Sequence, residues 1–354
     1  MIDPFRPSPT RLAFRELLSA ECTPAAVRTA WESPNGLSPQ LWRKMGEIGV
    51  FRTLLPTSLG GAAYGAIEMV GLAEDAGYFG LPDPLIEHAV VGLPVLVEAA
   101  TLRNQPDLVD LDAADLIHRA AEGIAVVTTA GFDGSFYVVH GHSADAVVAF
   151  EGRWITLVEN TRYLAAVDSQ VVPDVVRTMD RSRRLTRAPI DGWSGTTVAT
   201  GVQANRLAGE ATLRGVLATA AFLVGAARRC TGFVLDRGPA RVDDGDRFLR
   251  IQTFPERLRT VISELEVAHA AVLRAAEMTF DGSKDRQRYV SLAKSIASDS
   301  AQTAARASLE VIGTVGHTAD HDLHLWLSRI ESLAAAWGTS AKHRSLFADT
   351  IGLT

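Results

Sequence analysis

Three histidines at helical spacing form the densest group of reactive side chains. His317, His321 and His324 fall at i, i+4 and i+7, with Asp320 and Asp322 among them. On one face of a helix such a set could ligate a divalent metal. It lacks the His-Glu-x-x-His order that sets a general base beside two ligands, so no metal is expected. Just ahead lies Gly313-Thr314-Val315-Gly316. Its glycines allow a sharp reversal and a close approach of a ligand to the main chain, and they would serve a plain helix–helix turn equally well. Cys22 and Cys230 are far apart and match no metal or redox spacing, which suits a reducing compartment.

The elements around these residues change period twice along the chain. Residues 1–118 read as an N-terminal helical domain broken by proline and glycine. Thr10 is the expected cap of a first helix, and Ser38-Pro39 caps a second over Leu41–Ile48 that stops at Gly49. A further helix over Ala66–Ala76 is expected to end at Gly77, and an apolar one to span Ile86–Ala100. Residues 119–205 read as a small antiparallel β domain. Its expected strands are Ile124–Thr129, Ser135–His140, Ala146–Phe150, Trp154–Val158, Tyr163–Val167 and Thr196–Val202, most of them set off by glycine-bearing turns. Residues 206–354 return to helical period. Phe254, Leu258, Val261, Leu265, Ala268, Val272 and Ala275 keep the 4-3-4-3 spacing of a bundle helix. Further helices are expected over Ala211–Leu235, Asp285–Ile312 and Ala319–Ala336, completing a C-terminal four-helix bundle. The fold class is therefore α+β, mostly α.

Composition narrows the function classes. A hydrophobic share of 47% with 21% charged residues describes a globular chain of 354 residues, and a net charge of -6 offers no electrostatic footprint for nucleic acid. The N-terminus lacks the apolar core of a signal peptide. No run reaches the ~18 uninterrupted apolar residues of a membrane span. The expectation is a cytoplasmic protein without a membrane partner.

Four motifs in order resemble the acyl-CoA dehydrogenase family across essentially the whole chain. Leu41–Pro56, with Gly60-Gly61 and Glu74-Asp75-Ala76-Gly77, is similar to the family's N-terminal helical signature. Met179–Leu185 is similar to the segment leading out of the β domain in shorter, steroid-type members. Gly225–Leu258 aligns with the helix-loop-helix carrying R-x-Q-F-G, and Gly313–Leu325 with the family's glycine-rich stretch ending H-D-L-H-L, which binds no metal. The resemblance implies FAD-dependent oxidation of an acyl-CoA to its 2,3-enoyl form. A carboxylate takes the α-proton, and hydrogen bonds to the thioester oxygen stabilise the enolate-like charge. It also implies an electron-transfer acceptor and flavin shared between neighbouring subunits, with no nucleotide-binding βαβ unit.

The cofactor residues implied by the resemblance are Arg241, Thr128, Gly313 and Gly316. Arg241 falls on the motif arginine, whose planar fork suits the FAD pyrophosphate. Asp243 and Asp244 replace the motif's glutamine and phenylalanine, so an acidic solvated loop is the competing reading. Thr128 falls at a strand end where a flavin edge would hydrogen-bond, or is a plain strand threonine. Glu310 and Thr314 replace a glutamine and a glycine, and Gly338 falls on the family's glutamate base. Gly232 and Phe233, at the alternative base position, are not acidic, and Asp236 one turn on is not the family's base. No catalytic base can be named from the sequence. Two readings stay open. One is a dehydrogenase subunit of a homo- or hetero-oligomer acting on a CoA thioester such as a steroid side chain. The other is a non-catalytic, FAD-poor partner of a catalytic chain, as in the mixed α2β2 tetramers of steroid-degrading bacteria.

Overall fold

The computed structural model describes residues 7–101, 113–134, 137–159, 175–187, 193–236, 248–280, 282–318 and 320–353. Helix α1, Pro9–Glu21, is capped by Ser8, two residues before the expected Thr10. The Ser8 hydroxyl accepts from Arg11 N at 3.0 Å, and Pro9 occupies the first turn, where its missing N–H costs nothing. Helix α2, Pro24–Glu32, is capped by Thr23 in the same way. Helix α3, Pro39–Glu47, follows Ser38 as expected, but the Ser38 side chain makes no capping bond. Its backbone N–H donates instead to Asp83 Oδ1 at 3.2 Å.

Helix α4, Ala66–Phe79, runs through Gly77 and ends at Gly80, where φ is +68°. Gly77 serves packing instead of termination. A Cβ there would lie 2.0 Å from the Phe222 carbonyl oxygen of the long helix crossing it. The expected apolar helix from Ile86 is two elements, a π-helix over Ile86–Gly92 and helix α5 over Leu93–Thr101. Pro94 accounts for the change. It cannot donate, and its ring crowds the carbonyl four residues back, so the preceding turns widen. Helix α6 is Ala113–Ala121.

Among the described residues, seven strands form two sheets: β1 Val127–Ala130, β2 Tyr137–Val139, β3 Ala146–Glu151, β4 Trp154–Glu159, β5 Val175–Val176, β6 Leu185–Arg187 and β7 Thr196–Thr200. One sheet has the order β1-β3-β4-β7 and the other β2-β6-β5. All pairs are antiparallel except β1 with β3, which are parallel. The sequence suggested consecutive antiparallel strands. The chain leaves β1 for the other sheet before returning in β3, and a crossover of that kind brings strands back in the same direction. Ala130, Val138, Val147, Ala149 and Val158 make a small core of their own. The expected strand Tyr163–Val167 lies outside the described residues, and the last strand stops at Thr200 because helix α7 begins at Gly201.

The C-terminal part comprises α7 Gly201–Asp236, α8 Phe248–Phe280, α9 Arg286–Ile312, α10 Leu323–Ala335 and α11 Ser340–Thr350. The short α11, capped by the Thr339 side chain, is additional to the four helices read from the sequence. Helix α7 has the length and apolar composition of a membrane span, yet 72% of its most apolar window is buried within the fold. Its apolarity is used against α4, α8 and α9. The seam Val261, Leu265, Ala268, Val272 and Ala275 on α8 is buried as its spacing implies.

A buried ion pair joins the parts. Arg329 on α10 donates to Asp180 Oδ2 at 2.9 Å, to Ser182 Oγ at 2.9 Å and to the Leu81 carbonyl at 2.9 Å. Its guanidinium also lies over the Phe222 ring, 5.0 Å from the centroid. One arginine thus links the N-terminal helices, the segment before β6 and the bundle.

Candidate active site

One slot is lined by all three parts of the chain. Glu87 comes from the π-helix, Thr129 to Asp133 from the end of β1 and the turn after it, Tyr137 and Val139 from β2, and Trp337 from the turn after α10. The slot opens to solvent and is narrow, with a cavity volume of about 10 Å³. That is room for about one water and far below the roughly 300–1,000 Å³ typical of small-molecule sites, so the slot marks where the three parts of the chain meet and encloses no small-molecule ligand.

The Glu87 wall is held by its neighbour. His88 Nδ1 accepts from Val127 N at 2.9 Å, and Nε2 donates to the Ala120 carbonyl at 3.2 Å. Burial lowers the His88 pKa to about 4, so the ring is neutral and serves as a polar rivet between the π-helix, α6 and β1. Trp42 and Phe51 meet that ring edge to face. Gly92 permits the close approach, because a Cβ there would lie 3.0 Å from Val127 Cγ1 and 3.3 Å from Thr129 Cγ2.

Trp337 lines the slot from a left-handed conformation, φ +60°, which costs an L-residue roughly 1–2 kcal/mol. Its ring rests where a Gly215 side chain would be, 2.7 Å from the position of a Cβ. His343 Nε2 donates to the Trp337 carbonyl at 2.9 Å, while Lys294 Nζ donates to Gly338 O at 3.2 Å and Ala334 O at 3.0 Å. A glutamate cannot replace Gly338 in this turn. The position has φ +105°, and a Cβ would lie 2.8 Å from His343 Nε2.

Lys294 is fully buried, and desolvation, followed by the charge of Arg183, lowers its pKa from 10.5 to about 7. The unfolded chain keeps that proton to near pH 10, so between those values it binds more protons than the native state and stability rises with pH. Urea unfolding of the wild type should gain about 1–2 kcal/mol between pH 7 and 8.5 relative to the same interval in Lys294→Met. Equal slopes in the two proteins would show that Lys294 stays charged.

The structure brings few of the sequence-derived candidates to this slot. Thr128 is fully buried, and its hydroxyl donates to the Val139 carbonyl at 2.5 Å; the next residue, Thr129, lines the slot. Gly313, with φ +80° and ψ -163°, ends α9, and Gly316 lies in the 3-10 turn that follows. A Cβ on Gly316 would lie 3.0 Å from Ile312 Cγ2 and from Leu309 Cδ1, so its smallness serves this helix–helix turn. Neither glycine lines the slot. Arg241, Asp243 and Asp244 lie outside the described residues. Glu310 forms a two-pronged surface pair with Arg257, and Asp236 lies 3.8 Å from Arg229.

The three histidines do not share a helix, because α10 begins only at Leu323. His321 Nδ1 accepts from Leu323 N, and His324 donates to the His321 carbonyl. Among the described residues, no group of three or more His, Cys, Asp or Glu could hold a metal.

Within one chain the described residues do not make a complete flavin site. The slot is too small for a whole dinucleotide, and the Thr128 hydroxyl is committed to Val139. Glu87 is the site residue that sequence reasoning missed. Its signal was a carboxylate, one of two with Glu98, in the otherwise largely apolar stretch from Ile86.

Comparison with known proteins gives a consistent assignment. Residues 9–101 match the family model for the acyl-CoA dehydrogenase N-terminal domain, and residues 206–352 match that for the C-terminal domain. Acyl-CoA dehydrogenase IpdE2 of Mycobacterium tuberculosis is 27% identical over 324 residues, covering 90% of this chain and 88% of that protein. The ChsE4-ChsE5 complex from Mycobacterium tuberculosis superposes with a TM-score of 0.78 at 18% identity over 100% of both chains. PigA with FAD and proline superposes with a TM-score of 0.78 at 16% identity, over 99% of this chain and 100% of that one. Both structures share the fold.

Proposed function

The chain belongs to the acyl-CoA dehydrogenase family, and on that premise we propose that it is one subunit of a mixed acyl-CoA dehydrogenase acting in α,β-dehydrogenation of a CoA thioester. The observation that carries this reading is the slot itself. Three parts of the chain converge there on a carboxylate, a threonine and an aromatic ring. The acyl group in this proposal is a steroid side chain. FAD would be held at the interface with the partner subunit, where it supplies the acceptor for the β-hydride. This chain's residues bind and orient the thioester and exclude water from its α-carbon. The ChsE4-ChsE5 complex supports pairing with a second family chain, and an electron-transfer protein is the expected downstream acceptor.

Gly338 favours a second reading, a non-catalytic partner subunit, because its turn has no room for the family's glutamate. Visible absorption of the chain purified alone, and co-purified with a second family member, separates the two. The proposal expects a flavin band only in the mixed assembly, bleached when acyl-CoA is added. A mixed assembly whose flavin is not bleached would leave the non-catalytic reading. A flavin band from this chain alone would overturn the shared site.

A further inference from the structure

A second cavity lies away from the slot and shares no lining residue with it. At about 360 Å³ it falls within the roughly 300–1,000 Å³ of small-molecule sites. Helices α1, α4, α7 and α8 build it, and its charges are layered. Glu74 and Asp75 of α4 are recessed, with side chains 8% and 7% exposed. Arg11 donates to Asp75 from Nε at 2.8 Å, and Arg15 lies 3.9 Å from the same carboxylate. Glu74 is paired with Arg228 and, at 3.1 Å, with His269. These four basic side chains are the more accessible groups, from 22% for Arg11 to 61% for Arg15. Gly71 lets the Arg11 guanidinium lie against α4, since a Cβ there would be 2.5 Å from Arg11 Nη1.

We propose that this cavity binds a small organic monocarboxylate, with its carboxylate on the Arg15 and Arg11 guanidinium groups and its apolar body against Ile67 and Leu273. Arg11 and Arg15 stand one turn apart on α1, so both reach the same ligand. Arg15 makes no hydrogen bond to a described residue, because 3.9 Å is too long for one. Its N–H fork matches a carboxylate in two-pronged geometry. The recessed Asp75 holds Arg11 in place before the ligand arrives, which lowers the cost of ordering it. Charge sets the class of anion. Three arginines balance Glu68, Glu74 and Asp75 in the wall, and protonation of His269 leaves one positive charge over. A monocarboxylate matches that balance, whereas a phosphate dianion would bring excess negative charge among three carboxylates. Glu68 turns one oxygen, Oε1, to the Ser8 hydroxyl, which donates to it. The site is independent of the thioester reading above.

Calorimetry on the full chain with hexanoate, hexylamine and inorganic phosphate provides the test. The wild type is expected to bind one hexanoate per chain, more tightly than phosphate, and to leave hexylamine unbound. Arg15→Gln should weaken hexanoate about 10-fold, the low end for a charged hydrogen bond because Arg15 is largely exposed. Arg43→Gln, which removes an equally exposed arginine of α3 outside the cavity, should leave the affinity unchanged. Matching melting temperatures of the unliganded proteins guard against a folding defect. Absence of hexanoate binding in the wild type, equal binding of hexylamine, or tighter binding of phosphate overturns the proposal. Wild-type affinity in Arg15→Gln would place the hexanoate elsewhere and overturn it as well. None of these results touches the flavin band of the mixed assembly, so the thioester reading stands or falls separately.

Discussion

Arg329→Met should destabilise the protein by about 3–5 kcal/mol, the cost of removing one partner from a buried ion pair. Asp180 is completely buried, and its carboxylate is bonded by Arg329 and by the Ser182 backbone and side chain. Methionine fills much of the arginine volume, so the loss isolates the charge from the packing. The same substitution also leaves the Leu81 carbonyl without its Arg329 donor. Urea unfolding gives the measurement, and Arg329→Met/Asp180→Asn supplies the control. If the uncompensated carboxylate dominates, the double variant recovers a large part of the loss. A single-variant cost below about 1 kcal/mol, the range of exposed pairs, would mean that water reaches Asp180 and the pair is not a lock. The prediction bears on the site as well, because Arg329 ties α10, which leads into the Trp337 turn, to the N-terminal helices before the Glu87 segment.

The second large effect concerns the crossing of α4 and α7. A Cβ at Gly225 would lie 1.9 Å from the Glu74 carbonyl oxygen, and one at Gly77 would lie 2.0 Å from the Phe222 carbonyl oxygen. Both obstacles are backbone and cannot rotate away. Gly225→Ala should therefore destabilise by about 1–3 kcal/mol, the range for overpacking, even though alanine has the better helix propensity by about 1 kcal/mol. Gly232→Ala on the same helix is the internal comparison. Nothing lies within 4 Å of a Cβ there, so propensity acts alone and the protein should become more stable by up to about 1 kcal/mol. Opposite signs from the same substitution on one helix would establish the close crossing. If both variants gain stability, the two helices stand farther apart at this crossing than 1.9–2.0 Å Cβ contacts imply.

The same crossing positions an ionic cluster at its edge. Arg228 on α7 reaches both Glu74 on α4 and Glu266 on α8, and His269 lies 3.1 Å from Glu74. Separation of α4 from α7 in Gly225→Ala would pull Glu74 from these partners. Part of its measured loss should then shrink at high salt, as expected for a half-exposed cluster.

Periodicity alone determined the order of helices, strands and bundle. Local sequence carries that information because a helix or strand must present a continuous apolar face, as Val261, Leu265, Ala268, Val272 and Ala275 do. Helix ends were less legible. Ser8 and Gly80, not Thr10 and Gly77, mark them, since a residue able to cap or stop a helix is also able to sit inside one when a neighbour needs the room. The parallel pairing of β1 with β3 was decided by the path between two sheets, which no strand's own residues encode. The site was the least legible part. Glu87, Thr129 and Trp337 are 42 and 208 positions apart in sequence, and no motif spacing links them. Family motifs directed attention to Gly313, Gly316, Thr128 and Gly338. Only the tertiary structure put Glu87 on the wall of a slot, because the meeting of three distant parts of the chain is not written in any one of them.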